Sequence, residues 1–171
     1  MFMERIAKFE KVSFEQFSAD IKNISPVMPE EMVRSVYEGI SLPKRATSGS
    51  AGYDFFLPYG IFLEPGDGIT VPTGIRAKIA EGWALNIFPR SGLGFKFRLQ
   101  FDNTVGIIDS DYYDSENEGH IMIKLTNDSK TGKSLSLESG KGFAQGIFLP
   151  FGITEDDCAE GVRNGGFGST G

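Results

Sequence analysis

Along most of this chain the apolar residues come in short bursts closed off by glycine, proline and aspartate. IRAKI (75–79), WALNIF (83–88), FRLQF (97–101) and IMIKL (121–125) alternate apolar with polar positions or carry brief apolar runs. Pro65-Gly66-Asp67-Gly68, Glu81-Gly82 and Ser139-Gly140 separate them. Alternation with period two suits strands that bury one face, and the intervening residues suit turns. Strands at this spacing predict an all-β barrel or sandwich.

One segment follows another period. In PVMPEEMVRSVYEGI, the residues Met32, Val33, Val36, Tyr37 and Ile40 recur at helical spacing. Pro29 suits the first turn, and Glu30 and Glu31 complement the positive end of the helix dipole. The pattern predicts a short helix within an inserted segment (18–40), lying between an N-terminal strand at about 9–17 and the barrel proper. The chain then reads as a single domain over 1–171. Its last nine residues, RNGGFGSTG (163–171), set one ring among four glycines, two hydroxyls and a cation. They cannot pack a core. They read either as a frayed end or as a flap that orders over a phosphate-bearing aromatic ligand.

Composition narrows the class. Apolar residues make up 40% of the chain, with 15 phenylalanines, which is ample for a core. Seventeen basic residues face 23 acidic ones, a net charge of −6, and no basic run exceeds Lys44-Arg45. A nucleic-acid binder would show a basic stripe, so no nucleic-acid partner is expected. The single cysteine, Cys158, excludes an internal disulfide and fits a reducing compartment. No stretch approaches a membrane span, so a cytoplasmic protein without a membrane partner is expected. With His120 the only histidine, a multi-histidine metal site is excluded.

Four internal segments carry candidate chemistry. AGYD (51–54) places Asp54 at a strand start, and in isolation this is an ordinary loop acid. PRSG (89–92) presents the Arg90 guanidinium, the Ser91 hydroxyl and the Gly92 amide after an apolar strand. An oligophosphate needs that combination of bidentate charge and amide donors, although a surface turn with an ion pair fits equally well. The stretch 102–127 reads as strand, turn, strand, with Asp109 and Asp111 two apart before Tyr112. Those carboxylates suit either a metal or a polar hairpin, and the acidic run 114–118 suits a solvated loop. In FAQ (143–145), Gln145 sits in an apolar strand, where its amide needs partners.

In this order, and with GGFGSTG (165–171) as the fifth, these segments resemble the five motifs of the trimeric dUTP pyrophosphatase (dUTPase) family across residues 43–171. The resemblance implies a β-barrel or jelly-roll fold with a short inserted N-terminal helix and a flexible C-terminal lid. It also implies hydrolysis of dUTP to dUMP and pyrophosphate, which keeps uracil out of DNA and supplies dUMP for thymidylate synthesis. Asp109 matches the general base that activates water against the α-phosphorus. Tyr112 matches the tyrosine beneath the deoxyribose that leaves no room for a 2′-hydroxyl. Asn103, Ile107, Ile108 and Met122 match the positions that hold uracil, and Arg90, Ser91 and Gly92 match phosphate contacts. Asp54 and Gln145 match groups that reach Mg²⁺ and the phosphates through water, with no direct protein ligand to the metal. Arg163, Phe167, Gly168, Ser169 and Thr170 match the lid, the ring over uracil and the other residues toward the γ-phosphate. The family forms homotrimers that donate this tail to a neighbouring subunit.

Three departures stand out. Five residues, 114–118, intervene where the family runs from tyrosine through one residue to glycine. Gly142 stands where the fourth motif often has arginine, and Arg163 lies four residues before Phe167 rather than five. Two rival readings share the fold. One is a dCTP deaminase or bifunctional relative, whose serine- and arginine-rich motif PRSGLGFKF lacks. The other is a dUTPase-like regulator that uses the extra helix and acidic loop for docking.

Overall fold

The computed structural model describes residues 4–161, and all strand pairing within them is antiparallel. In chain order come β1 (Ala7–Lys11), α1 (Phe14–Ile24), α2 (Glu30–Gly39), β2 (Lys44–Arg45), β3 (Tyr53–Phe56), β4 (Ile61–Leu63), β5 (Gly68–Pro72), β6 (Ile75–Ile79) and β7 (Trp83–Pro89). They are followed by α3 (Ser91–Phe97), β8 (Leu99–Phe101), β9 (Gly106–Ile108), a 3₁₀ turn (Ser110–Asp114), β10 (Met122–Asn127), β11 (Leu135–Leu137) and β12 (Gly142–Pro150). A five-stranded sheet runs β2-β3-β12-β7-β9 and a three-stranded one β5-β10-β8, with the two-stranded pairs β1-β6 and β11-β4 beside them. This is the expected all-β class in jelly-roll-like form. Among the described residues no ladder closes on itself, so the architecture is a set of packed sheets rather than a closed barrel.

The predicted strands 75–79 and 83–88 form as β6 and β7, and 121–125 is covered by β10 except at its first residue. Their alternation is the burial pattern. In β7, Leu85 and Ile87 face the core while Asn86 and Phe88 stay partly exposed. In β12, Phe143 and Ala144 are fully buried, and a register shift between Gly142 and Ala144 turns two successive side chains inward.

The N-terminal region differs from expectation. The strand at 9–17 ends at Lys11, and Phe14–Ile24 is helical, so the segment holds two helices. Ser13 caps α1, its Oγ accepting the Gln16 N–H at 3.1 Å, and Phe17 and Ile21 project together into the core. Burial of a side chain such as Phe17 contributes about 2–3 kcal/mol, so α1 is an integral part of the core. Val33 of α2 is equally buried. The Tyr37 hydroxyl donates to the Val12 carbonyl and Lys11 donates to the Tyr37 carbonyl, tying α2 to the end of β1.

Two further readings are corrected. Residues 91–97 form α3, so the strand expected at 97–101 starts at Leu99, after Arg98 ends the helix in the left-handed region (φ 50°). The stretch 102–127 is not a hairpin. β9 pairs with β7, whereas β10 lies between β5 and β8.

Candidate active site

A cavity of about 400 Å³ opens where the edge strand β9 meets β7, β8 and β10. That volume falls in the range of small-ligand pockets, roughly 300–1,000 Å³. Its walls include Asn103, Ile107, Ile108, Tyr112 and Met122, so these five sequence-predicted residues are brought together. Asn103 lies on the tight turn between β8 and β9, beside Thr104 at φ 69°. Ile107 stands on the outer edge with 60% of its surface exposed and forms the open lip. Ile87, Phe101 and Asp102 also line the cavity and were not singled out in the sequence. The signal for Ile87 lay in the alternation of β7, which gives a face but not what the face looks onto. Asp102 is held by Lys124 at 2.9 Å and by the Thr126 hydroxyl at 2.7 Å. These donors keep its carboxyl below the usual range, Thr126 first and Lys124 second.

Asp109 follows Ile108 directly and precedes the 3₁₀ turn that carries Tyr112. Its carbonyl accepts the Tyr112 N–H at 3.2 Å, which fixes the two residues relative to each other. Tyr112 is buried. Its hydroxyl donates to the His120 carbonyl (2.9 Å) and accepts from Asn117 Nδ2 (2.8 Å). Tyr113 turns the other way, bonding Glu10, with the Arg76 guanidinium over its ring.

The five-residue excursion 114–118 leaves and returns at one point. The amide of Ser115 bonds the Tyr112 carbonyl, Glu118 bonds Ser115, and His120 bonds the Asn117 carbonyl. Gly119 (φ 67°) comes back against Tyr112 and Tyr113 so closely that a Cβ there would lie 2.7 Å from the Tyr112 carbonyl oxygen. The added residues therefore project from the cavity wall without spreading it.

A second group of predicted residues gathers on the five-stranded sheet. Gln145 pairs in register with Asp54 on one side and with Phe88 on the other, so all three side chains share a face. The Arg90 Nε lies 3.4 Å from Asp54 Oδ1, and its Nη1 donates to the Gly142 carbonyl. A Cβ at Gly142 would sit 2.7 Å from Arg90 Nη1. The glycine in the fourth motif thus leaves the space that Arg90 occupies. Gly52 plays the same part for Gln145, whose Oε1 would meet a Cβ there at 2.7 Å. Ser91 and Gly92 open α3 directly after Arg90. Ile87, which lines the cavity, points to the opposite face of β7 from Phe88, and so from Asp54 and Gln145. Arg163, Phe167, Gly168, Ser169 and Thr170 lie outside the described residues.

His120 is fully buried and structural. Its Nε2 accepts the Gly74 N–H at 2.8 Å, which leaves Nδ1 to donate to Asp20 at 2.6 Å. Among the described residues, no three or more His, Cys, Asp or Glu side chains converge as metal ligands would. No described helix is long and apolar enough to cross a membrane.

Comparison with known proteins decides the family. The dUTPase family model matches residues 38–171. The chain belongs to the dUTPase family. It is 39% identical over 136 residues to the deoxyuridine 5'-triphosphate nucleotidohydrolase of Lactococcus lactis subsp. lactis (strain IL1403), covering 78% of this chain and 89% of that protein. The crystal structure of dUTPase from Streptococcus mutans superposes with a TM-score of 0.62 at 31% identity, over 86% of this chain and 98% of that one. The dUTPase of Staphylococcus bacteriophage 80alpha, solved with dUPNHPP, gives a TM-score of 0.59 at 25% identity over 78% and 94%. As a dUTPase family member, the chain carries four of the five motifs within its described residues.

Proposed function

We propose that this chain hydrolyses dUTP to dUMP and pyrophosphate, as its membership of the dUTPase family implies. The observation that carries the assignment of the site is the cavity bounded by Asn103, Ile107, Ile108, Met122 and the buried Tyr112, with Asp109 next along the strand. Uracil enters this cavity and bonds along its polar edge to Asn103 and the Ile107–Ile108 backbone. The Tyr112 ring lies beneath the deoxyribose. A pocket that hydrogen-bonds a substrate edge rejects analogues strongly, because its buried polar groups are otherwise left unpaired.

Asp109 accepts a proton from water as the oxygen attacks the α-phosphorus, and the bond to the bridging oxygen breaks to release pyrophosphate. Arg90, Ser91 and Gly92 bind the phosphates and stabilise charge on the leaving group. The oxygen donors of Asp54 and Gln145 suit Mg²⁺ that keeps most of its waters and is held largely by the triphosphate. Bound there, Mg²⁺ would supply charge neutralisation at the phosphates. Arg163, Phe167, Gly168, Ser169 and Thr170 complete the site as a lid.

The assembly is a homotrimer whose sites draw on more than one subunit. What supports this is that Asp54 and Gln145 share the sheet face opposite to that of Ile87, so one nucleotide engages the cavity of one copy and the phosphate group of another. Pyrophosphate release from dUTP, dCTP, dTTP and UTP, with and without Mg²⁺, tests the proposal. Selective, metal-dependent turnover of dUTP is expected. Equal turnover of dCTP and dUTP, or a uridine nucleotide formed from dCTP, overturns it.

A further inference from the structure

The two additions that set this chain apart from the motif pattern, the helices before β2 and the loop 114–118, bind each other. Glu118 accepts the Ser13 N–H at 2.7 Å and the Ser13 hydroxyl at 2.6 Å, at the residue that caps α1. It does so from a left-handed backbone (φ 56°), a conformation that L-residues rarely adopt. Such a conformation persists only where its surroundings impose it. Two turns further along α1, Asp20 accepts from His120 Nδ1 at 2.6 Å and from Gln16 Nε2 at 2.8 Å. The Phe17 ring packs on the imidazole, 6.0 Å between centroids.

On its other side the same segment holds Tyr112. The His120 carbonyl accepts the Tyr112 hydroxyl, and Asn117 donates to that hydroxyl. A single residue, His120, thus stands between the Asp20 carboxylate and the Tyr112 ring, engaged through its imidazole on one side and its carbonyl on the other. Gly74, whose amide donates to His120 Nε2, is wedged beneath the helices. A Cβ there would run into Ile40, and its φ is 72°.

We propose that α1 positions Tyr112 through Asp20–His120 and Ser13–Glu118, so that the added helices set how strictly the site rejects a 2′-hydroxyl. The inference rests on the reading of Tyr112 as the floor of the sugar site. A ribonucleotide differs there by one oxygen, and a steric floor excludes one oxygen only if it does not yield. Loss of the Asp20 acceptor leaves a buried N–H unpaired, and the segment carrying the His120 carbonyl then relaxes. Asp20, His120 and Glu118 are positioning residues and touch no reacting atom.

The test compares Asp20→Ala, Asp20→Asn and Glu118→Ala with the unaltered chain in two readouts. One is the ratio of kcat/KM for dUTP to that for UTP. The other is amide hydrogen exchange over 112–120, with β12 as the internal control. In Asp20→Ala the ratio falls roughly tenfold, within the range of coupling between linked sites, mainly through improved use of UTP. Exchange over 112–120 quickens while β12 is unchanged. Asp20→Asn restores both, because an amide oxygen still accepts from Nδ1–H. Glu118→Ala gives a smaller change of the same kind and carries the test should Asp20→Ala not fold. Unchanged exchange in the variants overturns the coupling. Quickened exchange with an unchanged ratio overturns the role in selectivity. If the unaltered chain uses dUTP and UTP alike, it is the reading of Tyr112 that fails, and exchange still decides the coupling.

Discussion

Gly119 lies against the backbone of Tyr112, leaving no room for even a methyl group: a Cβ would approach the Tyr112 carbonyl oxygen to 2.7 Å and the Tyr113 Cα to 2.8 Å. Both obstacles are main chain and cannot rotate away. Gly119→Ala adds the cost of a left-handed alanine to this overlap, about 2–4 kcal/mol together. Thermal denaturation should show that loss, and KM for dUTP should rise because the Tyr112 wall moves. A variant with unchanged melting temperature would show that the excursion closes less tightly.

Asp109→Asn keeps the shape of the side chain but cannot take a proton from water. Turnover of dUTP is expected to fall about 10²–10⁴-fold with binding nearly unchanged. Single-turnover rates and calorimetric titration with a non-hydrolysable analogue separate the two. If Asp111→Asn is instead the inactive variant, the base is misassigned.

Gly142→Ala separates stability from activity. The atom a new Cβ meets is the far end of Arg90, a flexible side chain that moves aside at little cost. Stability should change by less than about 1 kcal/mol. The Arg90–Asp54 pair loosens, and if Arg90 binds the phosphates as proposed, kcat/KM for dUTP should drop roughly tenfold through one misplaced charge-assisted contact. Equal kinetics for Gly142→Ala and the unaltered chain would remove Arg90 from the phosphate site.

Acid should release the contact that holds Tyr113. Hydrogen bonds from Lys8 and then Tyr113 lower the Glu10 carboxyl from 4.5 to about 2, outweighing partial burial, with Arg76 helping. Because the folded-state value lies below the unfolded one, its stabilisation is complete above about pH 4.5 and is lost as pH falls towards about 2. The melting temperatures of Glu10→Gln and the unaltered chain should therefore differ at neutral pH and converge near pH 2. A gap that persists at pH 2 would assign the effect to packing.

Complementation tests the shared site. If the tail closes the site and Asp109 is the base, as proposed, a chain ending at residue 162 and full-length Asp109→Asn should each be nearly inactive alone. Refolded together, the two chains should, under the proposed trimer, form sites that combine Asp109 from one chain with Phe167 from another. Activity should return at a level set by the mixing ratio. Mixed trimers, verified by mass, that recover nothing at any ratio would show that each lid serves its own subunit.

What the sequence by itself determined was whatever depends on nearest neighbours along the chain. Alternation in 75–79 and 83–88 gave β6 and β7, because a strand's two faces are set by its own residues. The periodicity of Met32, Val33 and Val36, with Pro29 and two glutamates ahead of it, gave α2 to within a residue or two. The motif order was enough to identify the family. Helix α1 was legible in principle, since Ser13 and Gln16 form a capping pattern and Phe14, Phe17 and Ile21 share a helical face. It was missed because a run of aromatics also suits a strand, and only the core that Phe17 and Ile21 enter discriminates between the two.

The tertiary structure alone decided which distant residues meet. Pairing of β9 with β7 rather than β10 depends on competition among edges that no local pattern records. The same holds for Gly142 giving way to Arg90, 52 residues away, and for Glu118 reaching Ser13 across 105. Side-chain type states what a group can bond to, but closing such long loops costs entropy that only the whole core repays. The partners are therefore chosen by the fold as a unit.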